Sequence, residues 1–304
     1  MAQTSQSIAE QKILKTSIVF TLLSSLASIS LGLFISSKAI VFDGFYEIID
    51  AGMTGVALLA ARLIARGDDS RFQYGYWHLE PMLAGLNGLI LTFACLYAFV
   101  DALNGLIVGG RQVQFQAGAI YSAASGVLSL GLFVYIRRKG RSLGSQLLDL
   151  DARAWFMGAV LSLGLCVSFM IGGALSGTEA RVYAPYVDSI ILLVVALGLL
   201  PFPLLTVWRC GKEILQIAPP ELDRHVRAVA EAVAQRHGFS DFSSHVMRSG
   251  RQQFIEIGLV APSGDVRRSF EELDAIRAEI ADAMGGLSPG YWLTVDFTAD
   301  KRWV

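Results

Sequence analysis

Three carboxylates interrupt an otherwise apolar run early in the chain: Asp43, Glu47 and Asp50. Their spacing of i, i+4 and i+7 puts all three on one helical face, and Tyr46 stands one turn before Asp50 close to that face. An ionisable group inside a bilayer costs about 2.5–3.5 kcal/mol on insertion scales, so it needs a partner, a proton or an ion. Asp50 lies deepest in its run, where a cation or proton role competes with structural pairing to Arg153. Asp149, Asp151 and Arg153 open a later apolar run, Asp188 opens the last, and Asp101 falls late in the third. For Asp101, Asp149 and Asp188, near run ends, solvation is an equally good explanation. All four histidines, His78, His225, His237 and His245, fall outside the middles of these runs. An intramembrane metal site would therefore be built from oxygen ligands. Carboxylate and phenol oxygens suit Mn²⁺ or Mg²⁺, whereas zinc prefers imidazole or thiolate in the mix. Cys95, Cys166 and Cys210 have no CxxC spacing and read as packing residues.

The elements that must position these groups follow from the apolar lengths. The chain of 304 residues is 53% hydrophobic and only 17% charged, below the roughly 25% of a soluble domain. Six runs reach the roughly 20 residues that a bilayer requires: Ile13–Ser36, Ala39–Ala65, Leu79–Val108, Ala117–Ile136, Ala152–Leu175 and Tyr186–Trp208. The first lacks a small-residue cleavage site and reads as an anchor, not a removed leader. Lys12, Lys15, Arg62, Arg66, Arg71, Arg137, Arg138, Lys139, Arg141, Arg209 and Lys212 collect on one side. Lys38, Arg111 and Arg181 lie on the other. This asymmetry predicts that both termini are cytoplasmic. The net charge of −1 provides no general field for nucleic acid.

Composition changes near Cys210–Pro220, which divides the chain into a transmembrane domain, 1–210, and a cytoplasmic domain, 211–304. In the second domain, Leu222, Val226, Val229 and Val233 have helical spacing. A short strand is expected around His245–Arg248, an alternating strand over Phe254–Val260, and a last strand over Tyr291–Phe297. Ser269 followed by Glu272 forms a capping box for a helix reaching Met284. The expected fold class is thus an α-helical membrane protein with six transmembrane helices followed by a small α/β domain of order α-β-β-α-β. The tail shows no nucleophile–base or phosphate-loop pattern, so an enzyme is not expected.

The segment Ser37 to Asp50, S-K-A-I-V-F-D-G-F-Y-E-I-I-D, resembles the S-x-A-x-x-x-D-x-x-[HD]-x-x-x-D signature of the cation diffusion facilitator family. Tyr74 to Glu80, Y-G-Y-W-H-L-E, is similar to that family's [FY]-G-x-x-[KR]-x-E, and Asp188-Ser189 to its Asp-Pro. The resemblance covers nearly the whole chain. It implies a homodimeric inner-membrane antiporter that exchanges a divalent cation for protons, with no cofactor and with the metal as substrate. The family's transport site takes two residues four apart on helix two and two on helix five. Carried onto this chain, these are Tyr46, Asp50, Asp149 and Arg153.

Arg153 departs from the family pattern, because a guanidinium stays protonated and cannot ligate a metal. Either it pairs with Asp149 or Asp50 and swings aside, or the ligands are displaced to Asp43 and Glu47 with Asp149 or Asp151. A substrate other than a divalent metal also fits. So does a transport-inactive, regulatory membrane protein in which Arg153 permanently fills the site. The positions of the family's zinc site in the tail read Phe242, Gly258, Asp296 and Thr298, so no zinc site is expected there. The loop between helices two and three keeps Asp68 and Asp69 but has Phe72 and Tyr76 where a second zinc site would need histidines. The family's charge pair between the helix-three entrance and the linker becomes His78 and Gln216, able at most to share a hydrogen bond.

Overall fold

The computed structural model describes residues 2–34, 38–110, 115–264, 267–286 and 291–304. Among these, the side chains of residues 2–7, 32, 34, 38–43, 45, 46, 115 and 117 are not described. The chain divides into two compact units. One is Met1–Tyr76 with Met82–Arg209, and the other is Trp77–Pro81 with Cys210–Val304.

The first unit is helical. Its elements are α1 (Ala2–Phe34), α2 (Lys38–Arg66), α3 (Leu79–Ile107), α4 (Phe115–Leu143), α5 (Gln146–Ser176), α6 (Ala184–Leu199) and the greater part of α7 (Pro201–Ile214). Among the described residues, six spans are long and apolar enough to cross a membrane, α6 and α7 lying together in the last of them. Several helices outrun the apolar stretches that announced them. α1 begins well before Ile13, and α5 begins at Gln146 where an apolar start at Ala152 was expected. Hydropathy detects only the part of a helix that meets lipid, whereas backbone hydrogen bonding continues into polar turns. Ser145 caps α5, its hydroxyl accepting from the Leu148 N–H at 3.1 Å. The break between α6 and α7 falls at Pro201, with Pro203 following, and neither can donate a backbone hydrogen bond.

Lipid is as apolar as leucine, so helix association in a membrane depends on close packing and polar contacts. Gly44 of α2 lies against Ile29 of α1, Gly126 of α4 against Leu163 of α5, and Gly164 of α5 against Val195 of α6. A polar stripe on α1 comprises the buried Ser17, Thr21, Ser25 and Ser28. Ser25 donates to the Gly44 carbonyl at 2.7 Å, and Ser17 accepts from the Trp155 indole N–H at 2.8 Å. Cys95 packs with Met157 and Leu199, the packing role its sequence setting implied.

The second unit contains α8 (Pro220–His237), β1 (Asp241–Ser249), β2 (Gln252–Val260), α9 (Phe270–Ala283) and β3 (Tyr291–Thr298), the expected α-β-β-α-β order. The sheet order is β1-β2-β3, with β1 antiparallel and β3 parallel to β2. Val226, Ala230 and Val233 of α8 and Ile276 and Ile280 of α9 form one core with Ile255, Ile257, Leu259 and Val295 of the sheet. The capping box of Ser269 and Glu272 is formed in both directions. β1 is longer than expected because its pairing with β2 extends from Asp241↔Val260 to Ser249↔Gln252, and cross-strand hydrogen bonds carry polar residues that alternation alone would leave out.

Candidate cation site

Asp50 lies well inside α2, and it faces a small cavity of about 20 Å³, room for roughly one water or ion. α2 lines it with Asp50, Met53, Thr54 and Ala57, α3 with Leu83 and Asn87, and α5 with Leu147, Leu150, Asp151 and Ala154. The polar members are therefore two carboxylates, one hydroxyl and one amide. Asp50 and Thr54 share a face because they are four residues apart. Asp151 is only 6% exposed, and its Oδ1 accepts from the Thr54 hydroxyl at 3.1 Å. Its Oδ2 makes no hydrogen bond of normal length among the described residues.

Asp149 and Arg153, expected opposite Asp50, do not line this cavity. They turn to each other: Arg153 donates to Asp149 Oδ2 from Nε at 3.0 Å and from Nη2 at 2.6 Å, and both side chains are 46% exposed. Arg153 also donates to the Thr206 hydroxyl at 3.1 Å. The reason is helical geometry. Residues two apart on a helix are about 200° apart, so Asp149 and Arg153 share one side of α5 and Asp151 occupies the other. Asp151 was only a secondary candidate. The polar signals that would have raised it are Thr54, one turn after Asp50, and Asn87, an amide inside the apolar α3.

Glu47 is held on the α1 side, accepting from Ser24 at 2.7 Å and from Ser28 at 3.3 Å, while Ser28 is 2.7 Å from the Tyr121 hydroxyl. Tyr46 and Asp43 belong to α2, but their side chains lie outside the described residues. Asp188 is buried, accepting from Ser168 at 3.3 Å.

In the loop after α2, Asp69 accepts from the backbone N–H groups of Arg71 and Phe72, each at 2.8 Å, and from the Tyr76 hydroxyl at 2.5 Å. That hydroxyl, followed by the backbone bonds, holds the Asp69 carboxyl below its ordinary pKa. Its oxygens are thereby engaged in shaping the turn. In the second unit, Phe242 packs against the core, while Gly258 stands beside Asp296 in register, and Val304 takes the space a side chain at Gly258 would need.

His78 and Gln216 were singled out as a polar pair. Gln216 adopts a left-handed backbone, φ 57°. A buried charge contact of this unit joins Glu80 and Arg251. Glu80 is fully buried, and its carboxylate accepts from the Arg251 backbone N–H at 3.0 Å and from its Nε at 2.8 Å, with Nη2 at 2.7 Å. Gly250, φ +61°, turns the hairpin beside it; a Cβ there would strike the Glu80 side chain and the Trp77 carbonyl. Its N–H donates to Glu213 at 3.3 Å. Pattern reading missed this pair because its partners are far apart in sequence.

Six membrane-length helices, an acidic cavity among three of them and a small α/β domain define a multi-pass helical membrane protein. Residues 14–215 match the cation efflux transmembrane domain, and the chain belongs to the cation efflux family. A probable zinc transporter protein of Dictyostelium discoideum is 24% identical over 69% of this chain and 34% of its own length. The vacuolar zinc transporter of Saccharomyces cerevisiae is 29% identical over 40% of this chain and 28% of its own. The magnetosome protein MamB of Magnetospira sp. is 27% identical over 41% and 42% respectively. The chain thus spans less than half the length of each of these relatives.

Proposed function

We propose that this protein is a proton-coupled exporter of divalent metal cations, working as a homodimer in a cell inner membrane with both termini cytoplasmic. The observation that carries this reading is Asp50: a carboxylate deep in α2 that faces a water-sized cavity bounded by three helices. A carboxylate in that setting binds either a cation or a proton, and each excludes the other, which is the minimum required to couple two fluxes. Family membership and relatives named as zinc transporters support a metal as cargo. The regulatory alternative places Arg153 in the site; its pairing with Asp149, away from the Asp50 cavity, favours the exporter reading.

The tail is the proposed dimerisation element. Trp292 of β3 is 49% exposed and stands in register with Phe254 of β2, which pairs with Met247 of β1. Light scattering of the full-length protein in mild detergent is expected to give twice the mass of one chain. A monomer across the accessible concentration range would count against this part of the proposal.

Reconstituted vesicles carrying a pH-sensitive dye test coupling directly. Adding Mn²⁺, Fe²⁺, Co²⁺, Zn²⁺ or Cd²⁺ in turn is expected to drive proton movement opposite to the metal for at least one ion. Metal uptake with no proton movement would remove the coupling; silence with every ion would remove the exporter.

A further inference from the structure

We infer that Asp151, with Thr54 and Asn87, completes the cation site around Asp50, making an all-oxygen site that admits a hard divalent cation such as Mn²⁺. The inference rests on the proposed export of a divalent cation and specifies which groups of this chain hold it.

Asp151 is almost wholly buried and uses one carboxylate oxygen on Thr54. The second oxygen is buried and makes no hydrogen bond of normal length among the described residues, with the Ser17 hydroxyl a neighbouring donor to this carboxylate besides Thr54. A carboxylate oxygen left so is costly to bury unless something positive or a hydrogen-bond donor reaches it. Among the described residues no Lys or Arg lines the cavity, and the guanidinium of Arg153 on the same helix is turned to Asp149. Two carboxylates balance the charge of one divalent ion, and the Thr54 hydroxyl and Asn87 amide carbonyl add neutral oxygens. Oxygen-only donor sets suit Mg²⁺, Ca²⁺ and Mn²⁺. Among the described residues the lining includes neither imidazole nor thiolate, the donors zinc favours. Such a site narrows the advantage that Zn²⁺ holds over Mn²⁺ in the general affinity order.

The test is calorimetric binding of Mn²⁺ and of Zn²⁺ to the purified full-length protein at fixed pH. Asp151→Asn is expected to weaken Mn²⁺ binding at least ~100-fold, the upper range already seen for groups that only support a ligand. Asp149→Asn, which breaks the exposed pair with Arg153, is expected to change it less than about threefold, since that carboxylate does not line the cavity. Asp151→His introduces an imidazole and is expected to raise the Zn²⁺-to-Mn²⁺ affinity ratio at least about tenfold. If Asp151→Asn does not fold, Thr54→Val is the substitute, with an expected loss of about tenfold in Mn²⁺ affinity. Unchanged Mn²⁺ binding in Asp151→Asn or its substitute overturns the inference, as does a larger loss in Asp149→Asn. If Asp50→Asn loses binding while Asp151→Asn keeps it, this inference falls and the exporter stands. If the unaltered protein neither binds nor moves any divalent cation, the exporter reading falls with it.

Discussion

Asp50→Asn abolishes metal-driven proton flux in reconstituted vesicles: the expected fall in initial rate is at least ~100-fold, with insertion and dimer mass unchanged. Asparagine keeps the shape of the side chain and removes its charge. The helix can therefore still pack, but the cavity loses one of its two carboxylates. Neutralising either one leaves a divalent ion half-compensated in a setting where unpaired charge is expensive. A variant that transports normally would place the site elsewhere on α2. Glu47, already held by Ser24 and Ser28, would then be the next carboxylate to test.

Arg251→Ala is the substitution expected to do most damage outside the membrane helices. It removes the guanidinium paired with Glu80, a carboxylate with no exposed surface. Breaking a buried ion pair from one side costs about 3–5 kcal/mol, because the carboxylate stays buried after its guanidinium is gone; the backbone N–H at 251 still reaches it. The core of α8, α9 and the sheet is not touched by this change, so the effect is local to the hairpin and to Trp77–Pro81. Hydrogen exchange should show the Gly250 and Arg251 amides losing protection while β2 residues such as Ile257 keep theirs. Adding Glu80→Gln to Arg251→Ala should recover part of the loss, since the buried charge that lost its guanidinium is then gone. Equal loss in the single and double variants would mean that the pair acts through packing alone.

Much of the fold was legible because its determinants are local. A bilayer needs long apolar helices, and the six runs announced them; the capping box of Ser269 and Glu272 announced α9. Helix ends were less legible, since Gln146 to Asp151 form a helix through a cap and backbone bonds that hydropathy does not register. The lining of the Asp50 cavity was legible only in part. Asp50 stood out by depth alone. The choice between Asp149 and Asp151 depends on which side of α5 faces α2, and side chains two apart point in nearly opposite directions. That rotation is set by tertiary contacts such as Trp155 to Ser17 and Thr54 to Asp151, which no single segment encodes. The Glu80–Arg251 pair was illegible for the same reason, its partners lying 171 residues apart.

The central claim, that the Asp50 cavity carries a divalent cation across the membrane, is tested most directly by metal content. Vesicles containing the purified protein are given an inwardly or outwardly directed pH gradient, exposed to Mn²⁺ or Zn²⁺, washed, and their lumen measured by elemental analysis. The account predicts accumulation above protein-free vesicles that follows the sign of the pH gradient and disappears in Asp50→Asn. Lumenal metal equal to that of protein-free vesicles for both ions, or accumulation that persists undiminished in Asp50→Asn, would contradict it.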